Sequence, residues 1–209
     1  MKVLLLGNGE INDYVKLKEN IFEKYDKVIS VDGGAKHLGP LDLIPDLMIG
    51  DFDSISEELL IKYKNSKIYK YNPEKNQTDS EIAFDTVEKM KAQYVHCVGF
   101  TGSRLDHSMS NMLLLLRYKD LNMYLIDENN IVFNCAKTCR IKKREKFYLS
   151  LVILSDIEDL KIEGVKYPLD NKYISFPSSL TLSNEITEAE ASISFSKGNI
   201  IAMLSREST

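Results

Sequence analysis

The stretch Val31–Ile55 reads VDGGAKHLGPLDLIPDLMIGDFDSI and decides our prediction of the fold. One apolar run, Lys27–Val31, leads into it and is followed directly by Asp32. A second run, Leu47–Ile49, is followed after one glycine by Asp51. Short continuous apolar runs of this kind are typical of buried parallel strands. Each strand therefore delivers a carboxylate at its C-terminal end, the edge where open α/β sheets bind ligands.

The acidic residues at this edge indicate a metal site. Asp32, Asp51 and Asp53 are expected to gather there, and carboxylates in close proximity repel one another unless a cation or a proton lies among them. A hard divalent metal with oxygen ligands, itself holding a polyphosphate, removes that repulsion.

Composition excludes several classes of protein. The chain has 209 residues, 44% of them apolar and 28% charged, which is typical of a soluble globular protein. A net charge of −4 argues against a generally basic nucleic-acid surface. No apolar run approaches the roughly 20 residues needed to span a bilayer, and the apolar start is too short for a secretory signal. We expect no membrane partner, no nucleic-acid partner and a cytoplasmic location.

The three cysteines, Cys97, Cys135 and Cys139, are an odd number and include no CxxC pair. We expect structural thiols in a reducing compartment rather than a metal site.

Strand and helix patterns alternate up to Ile126, which predicts a mostly parallel, doubly wound α/β domain. Two capping boxes, Ser54 with Glu57 and Thr78 with Glu81, mark helix starts. The further predicted strands are Val3–Leu6, Lys67–Tyr71, Tyr94–Val98 and Asn122–Ile126, and the predicted helices are Tyr14–Tyr25, Ile55–Tyr63, 78–91 and His107–Tyr118.

After Ile126 the helical patterns stop, and the short apolar runs predict an all-β domain, a small sandwich. The runs are Ile131–Phe133, Phe147–Ile153, Leu160–Glu163, Leu180–Leu182, Ala191–Phe195 and Ile200–Leu204. The turn Ser196–Asn199 is expected to join the last two as a hairpin, and the basic cluster Lys137–Lys146 to be a solvated turn rather than a partner surface. We divide the chain into 1–130, an α/β catalytic domain, and 131–209, a β-sandwich.

The loops of the first domain suggest a phosphate site. Gly99–His107 follows a strand and carries Arg104, Asp106 and His107 before a helix. Each residue has an alternative role: Arg104 in a salt bridge to Asp106, and His107 in capping or packing. Asp79, in the first turn of a helix, is either a ligand or a complement to the helix dipole. The pair Gly7 and Gly9 lacks the third glycine of a dinucleotide motif, and we interpret it as a strand-to-helix turn.

Five motifs together resemble the thiamine pyrophosphokinase family over nearly the full chain. They are DGG at 32–34, PDLMIGDFDS at 45–54, NPEKNQTDSEIA at 72–83, TGSRLDHSMSN at 101–111 and SNE at 183–185. The resemblance implies an α/β domain, a β-sandwich domain and a homodimer. It also implies Mg²⁺-dependent transfer of the pyrophosphoryl group of ATP to the hydroxyl of thiamine, giving thiamine diphosphate and AMP.

The resemblance also implies roles for single residues. The family's acidic metal residues fall on Asp32, Asp51, Asp53 and Asp79, and its phosphate-contacting Arg and neighbouring Asp fall on Arg104 and Asp106. The serine of SNE, which lines the thiamine pocket at the dimer interface, falls on Ser183. We add to the substrate-binding residues Gly33, Gly34, Thr78, Gly102, His107 and Asn184. Asp79 and Asp106 are both candidates to accept the proton of the alcohol.

Three features depart from the family pattern: Asn76 replaces a frequent Asp, Ser103 interrupts the usual Gly-Gly-Arg, and the chain has no Trp. Three other functions stay open at this point. They are a pyrophosphokinase for another alcohol such as a hydroxymethyl pterin, a phosphatase with an aspartyl nucleophile, and a non-catalytic nucleotide or thiamine sensor.

Overall fold

The computed structural model describes residues 1–52, 57–70 and 76–207, apart from the side chains of Glu57 and Leu60. The chain divides into two compact units, Met1–Glu128 and Asn129–Thr209. The sequence-based division lies between residues 130 and 131.

The first unit is built on a parallel sheet with the strand order β4-β3-β2-β1-β5-β6. Four of its strands, β1, β2, β3 and β5, are buried along almost their whole length, as the continuous apolar runs predict. The α/β fold class is therefore confirmed. The strands are β1 (Lys2–Leu6), β2 (Lys27–Val31), β3 (Leu47–Gly50), β4 (Lys67–Lys70), β5 (Tyr94–Val98) and β6 (Asn122–Ile126).

Helices connect these strands, and all the helices that the structure describes belong to the first unit. Thr78 caps α4, since its side chain accepts a hydrogen bond from the Glu81 N–H, 3.2 Å away. The predicted cap at Ser54 lies outside the described residues. The helices are α1 (Tyr14–Lys18), a 3-10 helix (Asp32–His37), α2 (Leu38–Leu41), α3 (Glu57–Lys62), α4 (Asp79–Lys89) and α5 (Leu105–Arg117).

The predicted helix Tyr14–Tyr25 is wrong beyond Lys18, where α1 ends. The cause is an aromatic cluster around His96, a buried residue of β5. The ring of Phe22 stacks on the imidazole with centroids 4.2 Å apart, and the Tyr25 hydroxyl lies 2.7 Å from its Nδ1. The Phe22 N–H donates to the same hydroxyl, so long-range packing replaces the helical hydrogen bonds here.

The second unit is entirely β in its described part, which confirms the predicted class. Its strands form two antiparallel arrays, β7-β13-β9 and β11-β10-β12-β8. The strands are β7 (Asn130–Asn134), β8 (Thr138–Lys142), β9 (Tyr148–Ile153), β10 (Ile157–Glu163), β11 (Leu169–Ile174), β12 (Glu190–Ser194) and β13 (Ile200–Ser205).

The basic cluster and two predicted segments of the second unit differ from the prediction. The basic cluster is in part strand β8, because Ile141 is buried and its neighbours face outward. Leu180–Leu182 is a turn, with Leu180 and Leu182 largely exposed. Ser196–Asn199 is not a hairpin, since β12 pairs with β10 and β8 whereas β13 pairs with β7 and β9. The turn carries the chain from one array to the other.

The cysteines are free thiols. Cys97 is fully buried in β5, and the sulfurs of Cys135 and Cys139 lie 2.9 Å apart in the second unit. Within the described residues, no group of three His, Cys, Asp or Glu side chains is placed to hold a metal. Cys135 and Cys139 therefore belong to no such group there. None of the described helices is long and apolar enough to cross a membrane.

Candidate functional site

A cleft of about 420 Å³ lies at the C-terminal ends of β1, β2 and β5. This is the edge of the sheet at which the sequence places the ligand site. Its walls are the loop after β1, the start of the 3-10 helix, the loop after β5 and the N-terminal parts of α4 and α5. The polar and charged residues that line it are Asn8, Glu10, Asp32, Lys36, Thr78, Asp79, Ser80, Thr101, Ser103, Arg104, His107, Ser108 and Asn111.

The loops after β1 and β5 are bonded to each other along their backbones. The Gly7 N–H donates to the Val98 carbonyl and the Gly9 N–H to the Gly99 carbonyl, each over 2.8 Å. Gly99 has a φ of +74°, and a Cβ there would overlap the Gly7 carbonyl oxygen. The two glycines after β1 therefore serve this close loop pairing, which agrees with their interpretation as a strand-to-helix turn.

A buried histidine, His37, contacts the backbone of the loop after β1. The Nε2 of His37 lies 2.8 Å from the Gly9 carbonyl oxygen, and its Nδ1 lies 2.7 Å from the Tyr14 hydroxyl. Because a carbonyl only accepts, Nε2 carries the proton and Nδ1 accepts from the tyrosine. Burial lowers the pKa of His37, which keeps this arrangement neutral.

Two of the predicted metal carboxylates, Asp32 and Asp79, line the cleft. Asp32 leaves β2 with a φ of 47°, and Asp79 lies in the first turn of α4. Asp51 is not among the cleft-lining residues, but it comes directly after Gly50, the last residue of β3. The Val31–Ile49 pairing places Gly50 beside Asp32.

The predicted four-carboxylate site is only partly described, because Asp53 lies outside the described residues. Asp32, Asp51 and Asp79 do not form a cluster that could hold a metal within the part of the chain that is described. Mg²⁺ commonly takes only one or two carboxylates and keeps several waters. Two carboxylates on one cleft fit that chemistry, so the magnesium site stays a prediction with suitable donors.

Arg104 and Asp106 form the salt bridge that the sequence leaves open. The guanidinium makes two contacts with the carboxylate, Nε to Oδ1 at 3.2 Å and Nη2 to Oδ2 at 2.6 Å. The hydrogen bond from Arg104 lowers the pKa of Asp106 to about 2. So acidic a carboxyl group is a poor acceptor for the proton of an alcohol. Asp106 also lies outside the cleft lining, whereas Arg104 belongs to it.

Two buried residues that the sequence analysis missed as site residues shape the loop after β5. The Gly102 N–H donates to the Ser108 hydroxyl over 3.0 Å, and the Asn111 amide donates to the Phe100 carbonyl over 2.7 Å. Both side chains are less than 8% exposed and come from α5. Both residues lie in the motif at 101–111, which is the signal that the sequence offers, but no role was predicted for them there.

The glycines of the DGG motif have a packing role that the sequence did not predict. Gly33 and Gly34 are buried and do not line the cleft. A Cβ at Gly34 would overlap the Leu6 carbonyl oxygen, and one at Gly33 would overlap the Asn8 side chain. These glycines therefore let the 3-10 helix pack closely on β1 and its loop, and their contact with a ligand stays a prediction.

The predicted thiamine residues lie in the second unit. Ser183 is exposed and has a φ of 55°. Asn184 is 7% exposed, and its side chain is engaged in the fold. Its Oδ1 accepts from the N–H groups of Tyr167 and Glu185, and its Nδ2 donates to the Tyr167 carbonyl. Asn184 thus shapes the segment that presents Ser183, and thiamine contact by either residue stays a prediction.

Comparison with protein families gives two matches, one in each half of the chain. Residues 18–126 match the model described as "Thiamin pyrophosphokinase, catalytic domain". Residues 138–200 match "Thiamin pyrophosphokinase, vitamin B1 binding domain".

Individual relatives agree with these matches. The chain is 33% identical over 186 residues to a thiamine pyrophosphokinase of Bacillus subtilis, which covers 86% of this chain and 87% of the relative. The crystal structure of thiamine pyrophosphokinase from Bacillus subtilis superposes with a TM-score of 0.88 at 30% identity, covering 100% of both chains. A thiamin pyrophosphokinase from Candida albicans shares the fold at 19% identity, with a TM-score of 0.82 over 99% of this chain and 89% of that one.

Proposed function

The chain belongs to the thiamine pyrophosphokinase family and is a transferase that makes thiamine diphosphate, and from that premise we propose how its residues carry the reaction. ATP is the donor, its pyrophosphoryl group moves to the hydroxyl of thiamine, and AMP leaves. The observation that carries this proposal is the single cleft that gathers Asp32, Asp79 and Arg104 at the C-terminal edge of the parallel sheet.

The acidic residues of the cleft are proposed to hold the Mg²⁺ that offsets the negative charge of the nucleotide. ATP is strongly anionic, and Asp32, Asp79 and Glu10 on the cleft wall are acidic. When bound, Mg²⁺ supplies the positive charge that lets these anions share one cleft. Asp32 and Asp79 would hold it from the cleft wall, with Asp51 and Asp53 directly or through water.

Arg104 and the loop after β5 bind and orient the phosphates. The guanidinium is exposed at the cleft and can turn from the Asp106 carboxylate to a phosphate, which offers the same bidentate geometry. The Ser108 and Asn111 contacts fix the loop that carries Arg104. Thr78, Gly102 and His107 stand at the same cleft or its rim, as nucleotide-binding residues should.

The alcohol proton goes to Asp79 in this proposal rather than to Asp106. Asp79 lies on the cleft, and Asp106 is paired with Arg104 outside it. Phosphoryl transfer depends chiefly on positioning and electrostatic stabilisation, so the base contributes little to the rate.

Product analysis tests the reaction directly. The purified protein, incubated with ATP, Mg²⁺ and thiamine, is expected to form thiamine diphosphate and AMP in equal amounts, resolved by chromatography. Omitting thiamine or adding a chelator should stop both products. AMP formed only with a hydroxymethyl pterin would move the activity to another alcohol. Release of ADP or free phosphate without AMP would contradict pyrophosphoryl transfer, and nucleotide binding without turnover would indicate a sensor.

We further propose a homodimer in the cytoplasm, with Ser183 of each second unit lining a thiamine pocket at the dimer interface. An exposed set of large apolar side chains in the second unit supports an interface there: Tyr148, Tyr167, Tyr173, Phe176, Leu180 and Leu182.

If the pocket needs two subunits, specific activity should fall as the enzyme is diluted toward the monomer. Activity across a dilution series, set beside sedimentation at the same concentrations, checks this expectation. A monomer with full activity would refute the shared pocket.

A further inference from the structure

We propose that Lys36 binds a phosphate group of the nucleotide, as a second cation of the cleft beside Arg104. The inference deepens the proposed function, because it rests on a nucleoside triphosphate being the donor. None of the sequence motifs assigns a role to Lys36. Its position on the cleft wall and its contacts with the loop after β1 carry the argument.

The ammonium group is held in place by one residue. The Nζ of Lys36 donates to the Asn8 carbonyl over 2.7 Å and to the Asn8 Oδ1 over 2.9 Å. An ammonium has three N–H donors, so one remains for a ligand. Among the described residues Lys36 forms no ion pair, and both of these acceptors are neutral. The positive charge is therefore positioned on the cleft without being neutralised there.

The sequence of the 3-10 helix explains this placement. Gly33 leaves room for the Asn8 side chain, which a Cβ would overlap. Lys36 lies three residues further on, and residues three apart share one face of a 3-10 helix. Its neighbour His37 fixes the Gly9 carbonyl. Lysine and loop are thus ordered together before ligand binds, which reduces the entropy lost on binding.

Lys36 and Arg104 differ in what a phosphate must displace. The guanidinium of Arg104 is engaged by the Asp106 carboxylate through two contacts. Within the described part of the chain, the hydrogen bonds of the Lys36 ammonium go to the neutral oxygens of Asn8. A polyanion entering a cleft that also contains Glu10, Asp32 and Asp79 needs an unneutralised cation, and Lys36 meets that need.

Two variants, Lys36→Met and Lys36→Arg, test the proposal. The matched control is Lys119→Met, because Lys119 is exposed and does not line the cleft. In Lys36→Met we expect KM for ATP to rise at least about 10-fold, with kcat within about threefold and KM for thiamine unchanged. Calorimetry with α,β-methylene ATP, without thiamine, should show the same loss in affinity. Lys36→Arg should recover most of it, and Lys119→Met should match the wild type.

Helical circular dichroism checks that each variant folds. If Lys36→Met does not fold, Asn8→Ala tests the same contact, because it removes one of the two oxygens that position the ammonium and should weaken analogue binding. Equal analogue affinity in Lys36→Met and the wild type would overturn the proposal, as would a loss of kcat with KM unchanged. If the wild type releases no AMP, the proposed function is contradicted. The proposal for Lys36 can still be tested, because analogue binding does not depend on turnover.

Discussion

Asp79→Asn should lower kcat/KM at least about 100-fold while leaving the fold intact, because it removes the negative charge proposed to hold Mg²⁺ in the cleft and keeps the shape of the side chain. Asp79 lines the cleft from the first turn of α4. The measurement is steady-state kinetics of AMP formation across a range of Mg²⁺ concentrations. A lost metal ligand should also raise the Mg²⁺ concentration needed for half-maximal activity.

The alternative role of Asp79 predicts a much smaller effect. An acidic residue in the first turn of a helix stabilises it by about 0.3–1 kcal/mol. Thr78 remains as the N-cap in this variant, with its hydrogen bond from the Glu81 N–H. If the carboxylate serves only the helix dipole, the variant loses a little stability and keeps its turnover.

Two controls separate these cases. Asp32→Asn changes the other predicted metal carboxylate of the cleft and should reproduce the loss. Asp120→Asn changes an exposed aspartate beyond the end of α5 and should behave as the wild type. Near-normal turnover of Asp79→Asn at low Mg²⁺ would remove Asp79 from the metal site and leave the helix role as its explanation.

The parallel sheet could be predicted from sequence because strands that are buried on both faces have continuous apolar runs. Tyr94–Val98 and Asn122–Ile126 were predicted with the observed bounds. The second unit was harder, because its exposed strands have little apolar signal. In β11 only Ile174 is buried, so the run Leu169–Ile174 looks polar in sequence. The pairing partners of β12 and β13 are set by tertiary contacts that a turn motif does not encode.

For the candidate site, too, some residues could be predicted from the sequence and others could not. Residues in motifs, such as Asp32, Asp79 and Arg104, were predicted and lie on one cleft. Residues that act by holding a loop in place were missed, because these contacts form only in the folded chain. Lys36 bonds to Asn8, and Ser108 holds Gly102. The packing of the DGG glycines against β1 and its loop was also missed, because it is visible only in three dimensions.

Acid should destabilise the first unit through His96, by about 3 kcal/mol between neutral pH and pH 4. Burial lowers the pKa of this imidazole from 6.5 to about 4, with Lys2 adding to the effect. Phe22 and Tyr124 pack on the ring, and the Tyr25 hydroxyl contacts its Nδ1. Burial and the positive charge of Lys2 both disfavour the protonated ring in the folded state.

The sign follows from the two pKa values. Above about pH 6.5 the imidazole is neutral in both states, and its contribution to stability is complete. As the pH falls from 6.5 toward 4, the unfolded chain binds a proton that the folded chain does not. The free energy of unfolding therefore falls by about 1.4 kcal/mol per pH unit across this window. Below the folded pKa both states are protonated and the loss stops growing.

Urea unfolding followed by helical circular dichroism at pH 7 and pH 4 measures this loss in the first unit, which contains all the described helices. Carboxyl groups also titrate over this range, so the comparison between variants isolates the histidine. His96→Gln cannot bind the proton, and its stability should fall by about 3 kcal/mol less than that of the wild type. The same acid sensitivity in His96→Gln and the wild type would mean that the buried imidazole gains its proton at little cost, with the aromatic cluster opening to admit water.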